Sequence, residues 1–193
     1  LTYLSNLQNN ITEYYITDKI DGKRTILYLT NNTSYAVNDK ITELEIKTKD
    51  VCILDTEYYD DKYYVFDVMV YNSTNLINVP FEERMKYFDK FVEFPNIIIK
   101  EFIKLNKNYK EQISKFKKED KKYNVDGIIF TPMKGLYDKM DVYKYKSPDQ
   151  LTIDFLIKKC PDKLKPKQDN KNVYLLFCGM RMNLSLLDNV GLR

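Results

Sequence analysis

An α+β domain with antiparallel sheets is the fold class this sequence predicts, on three observations. Alternating apolar and polar residues dominate the first half, the middle changes to helical spacing, and alternation then returns. In the first half, EYYITDKI leads into a charged turn, and RTILYLTNN with TSYAVND reads as the hairpin that follows it. VCILDTEYY and KYYVFDVMVYN read as a second hairpin. From Pro80 to Phe94 the spacing predicts a helix, with Phe81, Met85, Phe88 and Phe91 on one face behind a proline suited to a first helical turn. A second helix is expected over roughly 104–122, with Leu105, Tyr109, Ile113 and Phe116 on one side and lysines elsewhere. Strands return in NVDGIIFTP, DVYKYKS and NVYLLFCGM. The polar run CPDKLKPKQDNKN, residues 160–172, reads as a linker or long exposed loop, which sets the expected domains at 1–159 and 160–193.

Composition narrows the chemistry. The 193 residues suffice for a sizeable core, and 44% hydrophobic beside 31% charged residues is ordinary for a globular chain. A net charge of +3 is too mild to announce nucleic acid, so clustering of the cations decides that question. LTYLSNLQNN carries no signal-peptide pattern and no apolar run reaches the length of a membrane span, so no membrane association is expected. Opening on Leu1 is expected of a piece excised from something longer. Cys52, Cys160 and Cys178 lie far apart and read as reduced thiols of a cytosolic-type compartment. The absence of histidine excludes Ser-His-Asp and Cys-His catalysis and argues against structural zinc. Any catalysis therefore runs on Lys, Asp, Glu, Arg, Tyr or a metal.

KIDGKR, Lys19 to Arg24, puts a lysine, a carboxylate, a glycine and an arginine into one turn. That set suits a lysine nucleophile on a nucleotide phosphate, with Asp21 and Arg24 as polar companions. Alone it reads equally as a charged turn in which Gly22 takes a positive φ angle. Other segments have equally plain explanations. Lys144 and Lys146 alternate on a strand, as on any solvated face. Phe66 alternates with Val68 and Val70, as a core residue does, and Asp126-Gly127 is a common turn dipeptide. Order separates the readings, because KIDGKR, DTE (Asp55–Glu57), YYVFDVMVYN (Tyr63–Asn72), VDGIIFTP (Val125–Pro132) and YKYK (Tyr143–Lys146) follow one another along a single chain.

This succession resembles the covalent nucleotidyltransferases, the superfamily of DNA ligases, RNA ligases and mRNA capping guanylyltransferases, over about residues 12 to 157. Asp126-Gly127 followed by IIFTP, and YKYKSPDQLTIDF with Asp154-Phe155 behind the Lys-aromatic-Lys strand, are similar to the capping branch. The heavy use of Asn, Lys, Ile and Tyr suggests an AT-rich genome, which suits a large DNA virus or cytoplasmic element. The resemblance implies two antiparallel sheets around a nucleotide cleft, with Lys19 taking GMP from GTP as a phosphoramidate and passing it to the 5′-diphosphate end of RNA. It implies Asp21, Lys144 and Lys146 in the catalytic set. Arg24, Glu57, Phe66, Lys100 and Asp154 would hold the nucleotide, and Asp126 would help to hold Mg²⁺ or Mn²⁺. An unperturbed lysine is protonated at neutral pH, so Lys144 and Lys146 are expected to favour the free amine of Lys19 while neutralising phosphates.

The chain also departs from the pattern. Ile20 stands where capping enzymes commonly have Thr, which loosens the expected base preference. The C-terminal OB-fold is expected to be largely absent, with NVYLLFCGM its opening strand. Triphosphatase and methyltransferase domains or subunits are the expected partners, with host cytoplasm or virion as the location. Three alternatives stay open: an ATP-dependent RNA or DNA ligase adenylating Lys19, a non-catalytic descendant, and a segment of a multifunctional capping protein inactive alone. The lysine-rich stretch 101–123 reads as a helix with a solvated face, and no RNA site is expected there.

Overall fold

Strand β1 (Tyr14–Ile20) is covered on both faces, and the fold is built around that fact. Tyr14 and Ile16 enter one core with Leu105, Phe116, Ile128 and Phe130, whereas Tyr15 packs against a second core. Thr17 and Lys19, on the same face as Tyr15, line a cleft instead. The computed structural model describes residues 7, 9–121, 123–146, 156–161 and 174–177. It divides into two units, Leu1–Ser147 and Pro148–Arg193.

In the first unit, β2 (Lys23–Leu29), β3 (Ser34–Val37), β4 (Ile41–Leu44), β5 (Cys52–Tyr59), β6 (Lys62–Tyr71) and β7 (Thr74–Asn75) form a sheet in the order β4-β3-β2-β5-β6-β7. Both expected hairpins are present, as the β2/β3 and β5/β6 pairs. One inward face of this sheet carries Leu27, Leu29, Leu54, Val65 and Val68, all fully buried, as alternation on a half-covered sheet requires. The seventh strand, β8 (Ile97–Ile99), departs from the antiparallel expectation: it runs parallel to β6, with Ile97 beside Tyr63. The long connection between them allows this, since parallel neighbours need a crossover.

Four strands make the other sheet, in the order β11-β10-β1-β9, all antiparallel: β9 (Ile103–Lys104), β10 (Val125–Pro132) and β11 (Tyr143–Tyr145) with β1. The helices are shorter than the sequence predicts. Over 80–94 only α1 (Phe81–Arg84) is α-helical, and Met85–Phe91 is a 3₁₀ helix. Met85, Phe88 and Phe91 recur every third residue, which suits three residues per turn and buries both phenylalanines. The second helix, α2, spans Tyr109–Lys118. Lys104 is not helical, because Ile103 and Lys104 pair with β1 at the sheet edge. In the second unit, β12 (Leu156–Lys159) pairs antiparallel with β13 (Tyr174–Phe177), which lies within the strand expected at NVYLLFCGM. Among the described residues no helix is long and apolar enough to cross a membrane.

Candidate active site

Between the two sheets of the first unit lies a cleft of about 670 Å³. Lys19 reaches it from the end of β1, and Arg24, Glu57, Phe66, Lys100 and Lys144 line it with Lys19. Six of the residues singled out in the sequence thus converge, five from strands and Lys100 from just past β8.

Two strand irregularities aim the side chains. Asp18 pairs with Ile128 and Ile20 with Val125, so β10 holds one residue more than β1 opposite Lys19. This β-bulge at Asp126-Gly127 brings the Asp126 carboxylate to Lys19, at 2.8 and 3.0 Å from its Nζ. Gly127 is required because a Cβ there would fall 2.1 Å from the Tyr145 carbonyl oxygen. Lys146 binds the same carboxylate at 2.7 Å. Burial raises the Asp126 carboxyl, but hydrogen bonds from Lys146 and Lys19 outweigh it and hold the group below the usual carboxylate range. The same pairing lifts the Lys146 ammonium above its ordinary value. Asp126 thus stands between Lys146 and Lys19 as a shared counter-ion.

The second irregularity is in β6, where Asp55 pairs with Asp67 and Thr56 with Val65, leaving Phe66 as the extra residue. Its alternation with Val68 is broken there: Val68 is core, and half-buried Phe66 turns to the cleft. The Lys100 Nζ lies 5.8 Å from the Phe66 ring centroid and donates to the Asp18 carbonyl. Burial lowers the Lys100 ammonium to about 8, against the opposing pull of Asp18 and Glu57. Burial likewise raises the Glu57 carboxyl, only partly offset by Lys100 and Lys19.

The charged turn packs tightly against this wall. Gly22 does not take the positive φ that a bare turn reading supposes. It is needed because a Cβ would lie 2.6 Å from the Tyr58 carbonyl oxygen and 2.8 Å from Glu57 Cγ. Arg24 forms a two-pronged pair with buried Asp55, at 3.0 and 2.6 Å, and donates to the Tyr137 hydroxyl at 3.0 Å. Tyr137 in turn donates to Asp55 at 2.5 Å. Hydrogen bonding to Asp55 raises the Arg24 guanidinium further, and burial raises the Tyr137 phenol, so both keep their protons. Asp21 is exposed in the turn and does not line the cleft, although its charge reaches Lys146. Asp154 lies outside the described residues.

Three participants went unassigned in the sequence. Asp55 was visible within DTE, where its role as anchor of Arg24 follows only from the paired register of β2 and β5. Tyr137 sits in the β10–β11 connection, where no periodicity marks a residue. Thr17 Oγ1 is buried at the cleft without a hydrogen-bond partner. Among the described residues, no group of three His, Cys, Asp or Glu stands ready to cage a metal. The donors would suit a hard cation that brings phosphate oxygens and water with it, and Asp126 is the residue that would hold it.

The family model for the ATP dependent DNA ligase domain matches residues 42–146. The mRNA-capping enzyme of African swine fever virus (isolate Pig/Kenya/KEN-50/1950) is 33% identical over 186 residues, covering 86% of this chain and 21% of the viral protein. The mRNA-capping enzyme of Caenorhabditis elegans is 26% identical, covering 80% of this chain and 32% of that protein. This chain thus spans about a fifth of the viral relative and a third of the nematode one. The ligase domain of M. tuberculosis LigD superposes with a TM-score of 0.52 at 11% identity, over 76% of this chain and 55% of that one, a likeness of fold. By its fold, its cleft and the family model that spans more than half of it, the chain belongs to the ATP-dependent DNA ligase domain family of the nucleotidyltransferase superfamily.

Proposed function

We propose that this domain is an RNA guanylyltransferase, forming lysyl-GMP on Lys19. The observation that carries the reading is Lys19 itself, fixed by Asp126 at the mouth of a cleft whose other wall offers Phe66, Lys100, Glu57 and Arg24. The viral and nematode relatives, both capping enzymes, support GTP over ATP.

In the first step the Lys19 amine, released from Asp126, attacks the α-phosphate. A P–N bond forms, the bond to pyrophosphate breaks, and the ammonium proton is lost to solvent. In the second step an oxygen of the RNA 5′-diphosphate attacks the same phosphorus, the P–N bond breaks, and Lys19 regains a proton. Phosphoryl transfer of this kind asks for alignment and charge compensation, which a site without histidine supplies through lysines. Lys144 and Lys146 face the phosphates, Phe66 stacks on the base, Lys100 contacts the base edge, and Glu57 with Arg24 holds the ribose. Mg²⁺ or Mn²⁺ held by Asp126 would add charge compensation on the triphosphate.

The test is incubation with labelled GTP or ATP and a divalent cation, followed by denaturing electrophoresis. Acid-labile, alkali-stable label from GTP, lost in Lys19→Ala with the fold retained, is the expected result. Label from ATP alone moves the assignment to a ligase, and label persisting in Lys19→Ala places the nucleophile elsewhere.

A further inference from the structure

We infer that the flank of α2 facing β11 is the track along which the acceptor RNA leaves the cleft. The inference rests on the guanylyltransferase reading for the identity of the polyanion. Its geometry stands on the helix and on its contact with β11. Tyr109, Ile113 and Phe116 form the buried face of α2. At 100° per residue, Lys110 and Lys117 lie side by side on one flank of that face, with Ser114 and Lys118 next around the helix. Glu111, the only acidic residue of α2, lies beside Lys118 on the outer face of the helix, away from Lys110 and Lys117 by about a quarter turn or more.

The flank is oriented by a contact. Lys117 Nζ sits 4.1 Å from the ring centroid of Tyr145, so it is this flank that meets β11. β11 is the edge strand of its sheet; of the lysines on either side of Tyr145, Lys144 lines the cleft and Lys146, just past the strand, binds Asp126. Lys110, Lys117 and Lys118 are exposed, and Tyr145 is 41% exposed. Cations therefore stand at the nucleophile, at the sheet edge and on the helix, and the Tyr145 ring joins the edge to the helix through Lys117. Single-stranded RNA is recognised by this combination, phosphates against lysines and a base against a ring. The sequence alone reads these lysines as a solvated face, and the placement of α2 against β11 changes that reading.

The experiment measures binding of a 5′-diphosphate single-stranded RNA to the full chain as a function of salt. The variant is Lys110→Ala/Lys117→Ala/Lys118→Ala. A charge-matched control, Lys47→Ala/Lys49→Ala/Lys90→Ala, removes exposed lysines elsewhere. Each single-strand phosphate contact contributes about 0.7 to the slope of log K against log salt, so the track variant should lose about 2 units of slope, and the control should keep it. Affinity should fall at least ten-fold in low salt with the thermal unfolding midpoint retained. Equal slopes in wild type and track variant, or equal losses in both triple variants, overturn the track. Labelling by GTP is read separately on the wild type. No label with the slope difference intact removes the guanylyltransferase reading and leaves a polynucleotide track, whereas label with no slope difference removes the track alone.

Discussion

At Lys100 burial works against charge, and the conflict has a measurable sign. The unfolded chain takes up this proton below about 10.5, the folded chain only below about 8. Between those values the unfolded state holds more protons, so the contribution of Lys100 to stability rises with pH across the window, by about 3 kcal/mol in total. Denaturant unfolding of Lys100→Met should lack that rise relative to wild type, and parallel pH profiles would show that Lys100 titrates as an exposed lysine. Phe66 poses the opposite question, whether a ring belongs to the core or to the ligand. Half-buried at a bulge, it should give little stability when lost, about 1 kcal/mol in Phe66→Ala. Loss of the proposed base stacking should weaken nucleotide binding roughly ten-fold or more. The reverse ranking, measured by thermal unfolding and nucleotide titration, would return Phe66 to the core.

Strands, hairpins and their order were legible in the sequence because period-2 patterning states which residues face inward. The bulges at Phe66 and Asp126-Gly127 were not, because a single extra residue leaves the local pattern intact and shows only when two strands are paired. Helix lengths were overread for a related reason. Apolar residues every third or fourth position satisfy an α-helix on paper, whereas at Met85–Phe91 the packed geometry is 3₁₀. The buried partner of α1 was also invisible. Arg84 is fully buried, bonded to Asp67 through both prongs at 2.7 Å and to the Gly135 carbonyl at 3.1 Å. Burial raises the Asp67 carboxyl, and Arg84 opposes that rise. Arg84→Met leaves Asp67 without its partner and should cost about 3–5 kcal/mol in thermal or denaturant unfolding. A loss under about 1 kcal/mol would mean that solvent reaches the pair.

On the scale of the whole first unit, the connection between β10 and β11, residues 133–142, ties one sheet to the other. Glu82 N–H donates to Met133, Phe81 N–H to Gly135 and Tyr137 N–H to Ile77, with oxygen distances of 2.9 to 3.0 Å. The Tyr137 hydroxyl extends the tie to Asp55 in the far sheet. Amide hydrogen exchange should therefore find Glu82 and Tyr137 protected to nearly the same degree as the central strands β5 and β6. Much faster exchange at those two amides would show that the sheets open independently. The candidate site was legible wherever chemistry demands a residue type at a strand position, as at Lys19, Glu57, Asp126 and Lys144. It was illegible at Tyr137, which a loop delivers and only the assembled sheets explain.

The bulges carry a consequence for inheritance. A descendant that dropped one residue at position 66 or within 126–127 would restore uninterrupted pairing between its strands, so its sheets would survive and its folding would not suffer. What would vanish is the ring turned into the cleft or the carboxylate beside Lys19. In relatives of this chain, a one-residue gap at either place is thus a better mark of lost chemistry than many substitutions spread over the strands around it.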